Sequence, residues 1–296
     1  MRKGRNTKTS TFGSSRREGH DSTYFYSGRL YRDAPDAGDV PEPEVEIGDQ
    51  NLDRIFDSSS EDMHLLPDNS IHLMVTSPPY NVRKDYDEDL TLDEHLDLLS
   101  RVFRETYRVL VPGGRACVNV ANVGRKPYFP MSSFISVLMI EIGYLMRGEI
   151  IWDKAASVGA STAWGSWTSA TNPTLRDVHE YILVFSKGSY RRESRGKAST
   201  ISRDEFLEYT RSIWSFPTAS AQQVGHPAPF PLELPYRLIQ LYSFENDIVL
   251  DPFMGSGTTA LAALNSRRRY VGYEVVPEYL QIAQERIESY REPRGT

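Results

Sequence analysis

Cysteine is almost absent from this 296-residue chain, which contains a single one, Cys117. A lone cysteine excludes an intrachain disulfide framework and a zinc site built from cysteines. The chain also lacks an apolar run near the roughly 18 residues that a membrane span requires. Its first residues contain no apolar core of a secretory signal. We therefore expect a cytoplasmic protein with no membrane partner.

An excess of positive charge is also missing, since the net charge is −6. Net charge averages over faces that differ in sign, so local clusters matter more. The first seventeen residues hold six cations and no acid. A second basic cluster, between residues 187 and 197, holds five cations and one acid. Either cluster fits contact with phosphates or a solvated segment, and the position of the second in the chain favours DNA.

Helix-like and strand-like segments alternate along most of the chain, which predicts an α/β fold with a doubly wound, mostly parallel sheet. Residues 1–45 are polar and lack periodicity, so we expect a disordered N-terminal tail. Residues 46–185 and 226–296 are predicted to be two halves of one domain. Residues 186–225, which have little regular pattern, are predicted to be an insert between these halves.

Hydrophobic periodicity locates the individual elements. Strands are predicted at residues 52–56, 71–76, 116–121, 147–152, 181–185, 248–250 and 271–274. Helices are predicted at residues 92–110, 134–142, 232–242, 258–265 and 278–290. The helix from residue 92 is expected to stop at Pro112-Gly113-Gly114, and residues 153–178 are expected to be a loop.

A glycine-rich turn follows the apolar run 248–250. It reads Asp251-Pro252-Phe253-Met254-Gly255-Ser256-Gly257-Thr258-Thr259. A strand that turns through glycines into a helix lets a ligand approach bare backbone N–H groups at the positive end of the helix. Glu274, at the end of the next predicted strand, is suited to accept hydrogen bonds from ribose hydroxyls.

A second motif, Thr76-Ser77-Pro78-Pro79-Tyr80, follows the apolar run 71–75. Its proline pair is rigid and places an aromatic ring just beyond the strand. Either motif alone is weak, because a Gly-x-Gly turn also serves nucleotides and Pro-Pro-Tyr occurs in surface ligands of small modules. Their combination and order are more specific.

The two motifs resemble those of DNA amino-methyltransferases of the permuted class, in which the catalytic motif precedes the S-adenosylmethionine motif. The resemblance covers roughly residues 50–290. It includes a third element that precedes the cofactor strand, His226-Pro227-Ala228-Pro229-Phe230-Pro231-Leu232-Glu233-Leu234. It implies a Rossmann-like methyltransferase sheet with an inserted target-recognition region, S-adenosylmethionine as cofactor and double-stranded DNA as substrate. A homodimer and a cognate restriction endonuclease are compatible with it.

The cofactor site is expected around the glycine turn, whose amides and hydroxyls suit the cofactor's carboxylate. Asp251 is suited to its amino group, Glu274 to its ribose, and Phe230 and Phe253 to its adenine. Many relatives have Gly-Asp before the catalytic strand; here Ser59 stands at that place, with Asp57 as a substitute. The predicted cofactor contacts are Ser59, His226, Phe230, Asp251, Pro252, Phe253, Gly255, Ser256, Gly257, Thr258, Thr259 and Glu274.

The catalytic tetrad is Ser77, Pro78, Pro79 and Tyr80. A nucleobase amino group becomes nucleophilic as it pyramidalises, and the Ser77 side chain and the Pro78 carbonyl are placed to accept its two hydrogens. Tyr80 is expected to stack on the flipped base. Among the relatives serine usually accompanies cytosine and an acid adenine. We therefore expect a site-specific cytosine-N4 DNA methyltransferase, with an adenine-N6 enzyme and a catalytically silent DNA-binding protein as alternatives.

Recognition of the target is expected from segments outside the catalytic pocket, since loops on a rigid sheet carry readout. The insert 186–225 and the loop 153–178 are the candidates. Arginines there could read guanine edges or contact phosphate alone. The predicted DNA contacts are Trp164, Trp167, Lys187, Arg191, Arg192 and Arg195.

Other enzyme classes fit the residues less well. Methylation of a cytosine ring carbon needs a cysteine nucleophile, whereas Cys117 lies in an apolar strand pattern and is predicted to be a core residue. Glutamine methyltransferases of release factors share a related tetrad, but their cofactor motif comes first. His64, His72, His179 and Glu180 lack the spacing of a metal site and are interpreted as structural or surface groups.

Overall fold

The computed structural model describes residues 26–31, 43–80, 90–154, 165–219 and 230–291. The chain divides into two compact units, Met1–Gly38 and Asp39–Thr296. The described part of the first unit is a short turn with a 3-10 helix, Arg29–Tyr31, and its Tyr26 and Tyr31 rings meet edge to face at 5.1 Å. All strands and α-helices named below belong to the second unit.

An eight-stranded sheet forms the centre of the second unit, in the spatial order β1-β10-β9-β2-β3-β7-β6-β8. Its strands are β1 (Arg54–Asp57), β2 (Ile71–Thr76), β3 (Leu110–Val120), β6 (Tyr144–Asp153), β7 (His179–Lys187), β8 (Ile213–Ser215), β9 (Ile248–Asp251) and β10 (Arg269–Glu274). A separate small ribbon pairs β4 (Val123–Gly124) with β5 (Tyr128–Phe129). Within the eight-stranded sheet only β7 is antiparallel to its neighbours. The predicted mostly parallel sheet is confirmed.

Helices cover both faces of this sheet. They are α1 (Leu92–Val109), α2 (Met131–Ile142), α3 (Arg203–Tyr209), α4 (Glu233–Tyr242), α5 (Thr258–Asn265) and α6 (Pro277–Arg291). Side chains of a strand alternate between its two faces, and β2 follows this rule. Met74 joins the core shared with α1 and α2, whereas Leu73 and Val75 join the core shared with the other helices. The doubly wound architecture is therefore confirmed, and no helix of the described segments is long and apolar enough to cross a bilayer.

Helix α1 begins where the sequence predicts and ends one residue before the predicted end. Thr91 caps it by accepting a hydrogen bond from the Glu94 amide at 3.2 Å, and Glu94 accepts from the Thr91 amide at 2.8 Å. Strand β3 follows without a loop, so Pro112-Gly113-Gly114 lies inside a strand and not at a helix stop. Gly113 has φ of 76°, and an added Cβ there would overlap the Arg191 carbonyl, which explains how the strand accommodates this motif.

Residues 186–225 are more regular than predicted. Their described part contains α3, capped by Ser202 and Glu205, and β8, which pairs in parallel with β6. Trp214 of β8 is 1% exposed and belongs to the core. Two helical turns and a three-residue strand are too short to produce a clear hydrophobic period, which is why the sequence pattern did not reveal them. This segment extends the edge of the sheet.

The reversed direction of β7 decides where its flanking segments lie. Its first residues pair with the ends of β3 and β6, whereas Lys187 pairs with Tyr144 at the start of β6. The two ends of the β6–β7 connection therefore lie at the carboxyl edge of the parallel strands. The chain after Lys187 emerges at the opposite, amino edge.

Candidate active site

A cleft of about 340 Å³ opens at the carboxyl edge of the sheet, beyond the ends of the neighbouring strands β2 and β9. From β9 the chain winds through α5 to β10 on one side, and from β2 it winds through α1 to β3 on the other. Such a switch point leaves a crevice that in open α/β sheets holds the ligand. Its wall contains twelve of the predicted site residues, namely Ser59, Ser77, Pro78, Pro79, Tyr80, Phe230, Pro252, Phe253, Gly255, Ser256, Thr258 and Glu274.

The Ser77 segment forms the wall of the cleft on the β2 side. The Ser77 hydroxyl lies 3.1 Å from the Tyr80 hydroxyl, so the first and last residues of the tetrad contact each other. Thr76, the last residue of β2, is fully buried and donates to Asp251 at 2.6 Å. The segment therefore leaves the sheet from a fixed point.

The glycine turn forms the wall on the β9 side. Gly257 is the N-cap of α5 with φ of 81°, and a Cβ there would lie 3.0 Å from the Ala283 Cβ. Both the left-handed backbone and the close approach of α6 favour glycine at this position. Gly257 and Thr259 do not contribute to the cleft wall. Gly257 packs near Ala283 and Thr259 donates to Asp251, so both support the turn from the side away from the cleft.

Glu274 closes the turn from the end of β10. It accepts hydrogen bonds from the backbone amides of Gly255 at 2.7 Å, Val276 at 2.9 Å and Val275 at 3.0 Å. Burial raises the pKa of Glu274, and the three amide hydrogen bonds oppose this shift. The result is a fixed carboxylate on the wall of the cleft.

Asp251 lies beneath the wall, and here the structure corrects the geometry expected from the sequence. Its side chain is fully buried, and its oxygens accept from Thr76 at 2.6 Å, Thr259 at 2.6 Å and the Phe253 amide at 3.1 Å. Burial raises the pKa of Asp251 to about 7, although these hydrogen bonds act in the opposite direction. Asp251 thus ties the ends of β2 and β9 together and does not present a free carboxylate to the cleft.

The sequence profile of the DNA methylase family (N6/N4 methyltransferases) matches residues 71–285. This range contains both loops of the cleft and most of the sheet. The chain belongs to the DNA methylase family. The S-adenosylmethionine cofactor expected from the sequence is that of the family.

Proteins similar to this methylase include type II methyltransferases. The chain is 31% identical over 270 residues to the type II methyltransferase M.MthZI of Methanothermobacter thermautotrophicus, covering 79% of this chain and 76% of that protein. It is 31% identical over 278 residues to M.MjaI of Methanocaldococcus jannaschii, covering 79% and 90%. Among solved structures, TTHA0409 of Thermus thermophilus, a proposed DNA modification methylase in complex with S-adenosyl-L-methionine, is 34% identical with a TM-score of 0.64. That alignment covers 80% of this chain and 95% of the other.

Several residues of the methylase site were missed by the sequence patterns. Arg286 of α6 holds the glycine turn by donating to the Ser256 carbonyl, to the Ser256 hydroxyl at 2.9 Å and to Thr258 at 3.3 Å. His95 of α1 and Tyr279 of α6 line the cleft. A helical pattern indicates which face of a helix is apolar. Arg286 follows the buried Ala283 by three positions, so both lie on the same face of α6. This spacing was the available signal for a cation that faces inward.

Cys117 is confirmed as a core residue of the methylase. Its side chain is fully buried on β3, and burial raises the pKa of its thiol. A thiol that is sheltered from solvent and held protonated is not available as a nucleophile. This agrees with the exclusion of ring-carbon methylation.

The basic segment after β7 lies away from the cleft, at the amino edge, which corrects the predicted DNA-contact geometry. Lys187 is 8% exposed and donates to Asn69 at 2.7 Å. Arg192 pairs with the fully buried Asp247, and Arg195 pairs with Glu44 at 3.1 Å. The antiparallel direction of β7, which the sequence does not specify, is the reason.

Glu44 and Asp247 are the acids of this amino-edge cluster. Lys197 donates to Asp247 at 2.9 Å, and His72 lies 2.6 Å from Glu44. The hydrogen bond from His72 lowers the pKa of Glu44 to about 2, although burial opposes the shift. Glu44, which the sequence analysis placed in the disordered tail, is therefore tied to β2 through His72.

Of the remaining predicted DNA contacts, Arg191 is exposed at the amino edge and Trp167 lies in the β6–β7 connection with 68% exposure. Trp164, and His226 of the predicted cofactor set, lie outside the described residues. Asp57 ends β1 beside Glu274, is exposed and does not line the cleft, whereas Ser59 does. Among the described members of this set, Trp167 belongs to a connection whose flanking strand ends lie at the carboxyl edge of the sheet.

Replacing Arg192 with alanine is expected to lower the free energy of unfolding by about 1–3 kcal/mol, because Asp247 is buried and loses one of its cationic partners. Urea denaturation measures this change. Arg191→Ala, at the exposed neighbouring position, is the matched control and should change stability by no more than about 0.5 kcal/mol. A weaker salt dependence of DNA binding in Arg192→Ala, with unchanged stability, would instead assign Arg192 to phosphate contact.

Proposed function

We propose that this methylase transfers a methyl group from S-adenosylmethionine to the N4 amino nitrogen of a cytosine flipped out of double-stranded DNA. The observation that supports this proposal is one cleft lined both by the glycine turn with Glu274 and by the tetrad beginning at Ser77. Strands β2 and β9 are adjacent in the sheet although far apart in the chain, so methyl donor and acceptor base can meet at this edge.

The residues of the cleft fit the cofactor. Amides and hydroxyls of the glycine turn suit its carboxylate, Glu274 suits its ribose hydroxyls, and Phe230 and Phe253 offer apolar surface to its adenine. The buried Tyr273 hydroxyl also belongs to the wall and has no hydrogen-bond partner within the described part of the chain. When bound, S-adenosylmethionine supplies an activated methyl group together with its own leaving group.

The tetrad acts on the acceptor. The lone pair of a nucleobase amino group is delocalised into the ring, and it becomes available as the nitrogen pyramidalises. The Ser77 hydroxyl and the Pro78 carbonyl accept the two amino hydrogens, which stabilises the tetrahedral nitrogen of the transition state. Tyr80 stacks on the base, which must leave the duplex to reach this position.

Serine at the first tetrad position is the feature that favours cytosine. In the permuted enzymes that the chain resembles, an acid at this position usually accompanies adenine. Membership of the permuted class and the roles given to the individual site residues are part of the same proposal.

The modified base tests the proposal. Genomic DNA from a host without DNA methylation of its own, expressing this chain, is digested to nucleosides and examined by mass spectrometry. We expect N4-methylcytosine, and cells of the same host that carry the empty vector provide the background. N6-methyladenine would overturn the choice of base within the same family. Absence of any modified base, with S-adenosylmethionine binding intact, would indicate a silent DNA-binding protein.

Target recognition is proposed to come from the β6–β7 connection. The strand ends that flank this connection lie at the carboxyl edge, and its described part contains the exposed Trp167. Loops held by a rigid sheet at such an edge can reach bases while the sheet keeps the chemistry in place. A role of residues 186–225 in target recognition, a homodimer and a cognate endonuclease remain predictions.

Replacing Glu274 with glutamine is expected to weaken S-adenosylmethionine binding about tenfold. The charged carboxylate accepts stronger hydrogen bonds than an amide, and the amide also turns a donor towards the backbone N–H groups of the turn. Isothermal titration calorimetry measures the change. Glu278→Gln, at an exposed acid on α6, is the control. Equal affinity of wild type and Glu274→Gln would remove Glu274 from the cofactor site.

A further inference from the structure

A cluster of polar side chains lies beside the tetrad, at the carboxyl edge of β3, β7 and β6. Its centre is Glu180, near the start of β7. Its Oε1 accepts from the Lys154 ammonium at 2.7 Å, and its Oε2 accepts from the Asn119 amide at 2.6 Å. The Tyr80 hydroxyl lies 3.5 Å from the same Oε2 and 3.1 Å from the Ser77 hydroxyl. A continuous polar chain thus runs from Lys154 to Ser77.

Three neighbouring strands build this cluster, and their register brings it together. Asn119 is the penultimate residue of β3, Glu180 is the second residue of β7, and Lys154 directly follows β6. Because β7 is antiparallel, its beginning lies beside the ends of β3 and β6. Glu180 and Lys154 are only 13% and 19% exposed, so their positions are set by the sheet and not by solvent.

The arrangement is poorly explained as a device for stability alone. A largely buried ion pair often contributes little net stability, because desolvation offsets the attraction. Asn119 is 2% exposed, and its Oδ1 has no hydrogen-bond partner among the residues that the structure describes, which costs about 1–3 kcal/mol. An incompletely satisfied polar network next to the reacting groups points to a role in the site.

We propose that Glu180 is a positioning residue: held by Lys154 and Asn119, it fixes the Tyr80 hydroxyl and, through it, the orientation of the Ser77 hydroxyl. Lys154 compensates the charge of Glu180, and the Asn119 amide directs Oε2 towards Tyr80. The inference rests on the proposed function, since the Tyr80 ring and the Ser77 hydroxyl are the groups that meet the base. Glu180 itself does not touch the base.

The test combines a double-mutant cycle with a spectroscopic measurement on the full chain. The variants are Glu180→Gln, Tyr80→Phe and their combination, and Glu149→Gln, an exposed acid on β6, is the control. Under single-turnover conditions we expect Glu180→Gln to slow methylation about tenfold. The double variant should be no slower than Tyr80→Phe alone, because Glu180 acts through the Tyr80 hydroxyl. Multiplicative effects of the two substitutions would overturn the proposal.

The second measurement does not depend on activity. With tyrosine labelled at the ζ carbon, the resonance of Tyr80 is identified by its loss in Tyr80→Phe. We expect it to shift in Glu180→Gln and not in Glu149→Gln, and an unshifted resonance would overturn the proposal. If Glu180→Gln does not fold, Asn119→Ala is measured in its place. This variant keeps the Lys154–Glu180 pair and removes the hydrogen bond to Oε2. The same shift of the Tyr80 resonance is expected. A wild-type chain that methylates no DNA would count against the proposed function only, since the resonance still decides the role of Glu180.

Discussion

Replacing Ser77 with alanine is expected to slow methyl transfer about a hundredfold while the affinity for S-adenosylmethionine stays unchanged. The alanine removes one preorganised acceptor for an amino hydrogen, and the loss applies in the transition state more than in the ground state. Single-turnover methylation of saturating DNA measures the rate, and calorimetry measures the affinity.

Ser58→Ala is the matched control for this experiment, because Ser58 is an exposed serine on the wall of the same cleft. It should leave the rate close to that of wild type. An unchanged rate in Ser77→Ala would remove Ser77 from the chemistry. A parallel loss of cofactor affinity would mean that Ser77 shapes the cleft rather than activating the base.

Asp251 is expected to make the stability of this methylase depend on pH. Burial raises its folded-state pKa to about 7 from an ordinary value of 3.8. The folded state therefore holds a proton that the unfolded state releases, and the stabilisation is fully present below about pH 4 and is lost as pH rises to about 7. The difference between these two pKa values corresponds to at most about 4 kcal/mol.

Asp251→Asn isolates this contribution. The amide stays neutral, so the decline of the free energy of unfolding between pH 4 and 7 should be flatter than in wild type, as measured by urea denaturation at several pH values. Asp251→Ala should be destabilised throughout, because Thr76, Thr259 and the Phe253 amide lose their acceptor. Asp49→Asn, at an exposed acid, is the control. Equal slopes in wild type and Asp251→Asn would show that Asp251 does not titrate in this range.

The elements that the sequence predicted well are those with a strong local signal. Helix α5 has the predicted bounds, and β2 has them as well. Both lie at the switch point, where a fully buried strand or a glycine turn marks the boundary. The motifs at these boundaries consequently located nine of the twelve predicted residues that line the cleft.

What the sequence could not predict depends on contacts between distant residues. The direction of β7 is set by its pairing with β3 and β6, and it moved Arg192 to the edge opposite the cleft. The burial of Asp251 depends on Thr76, which is 175 positions away in the chain. Neither hydrophobic period nor motif spacing contains this information. Glu180 was interpreted as a structural or surface group for the same reason, since its partners Asn119 and Lys154 come from other strands.

The pairing of β2 with β9 also has a consequence for how the chain acquires its structure. During synthesis β2 is exposed at one edge of a partial sheet until residues beyond 251 have emerged, because β9 is its partner on that side. Contacts of such long sequence separation form slowly, and an uncovered apolar edge favours association with other chains. We therefore expect refolding to be slow and yield to fall as concentration rises, with strands β2, β3, β7 and β6 gaining protection from hydrogen exchange before the β2–β9 pairing does.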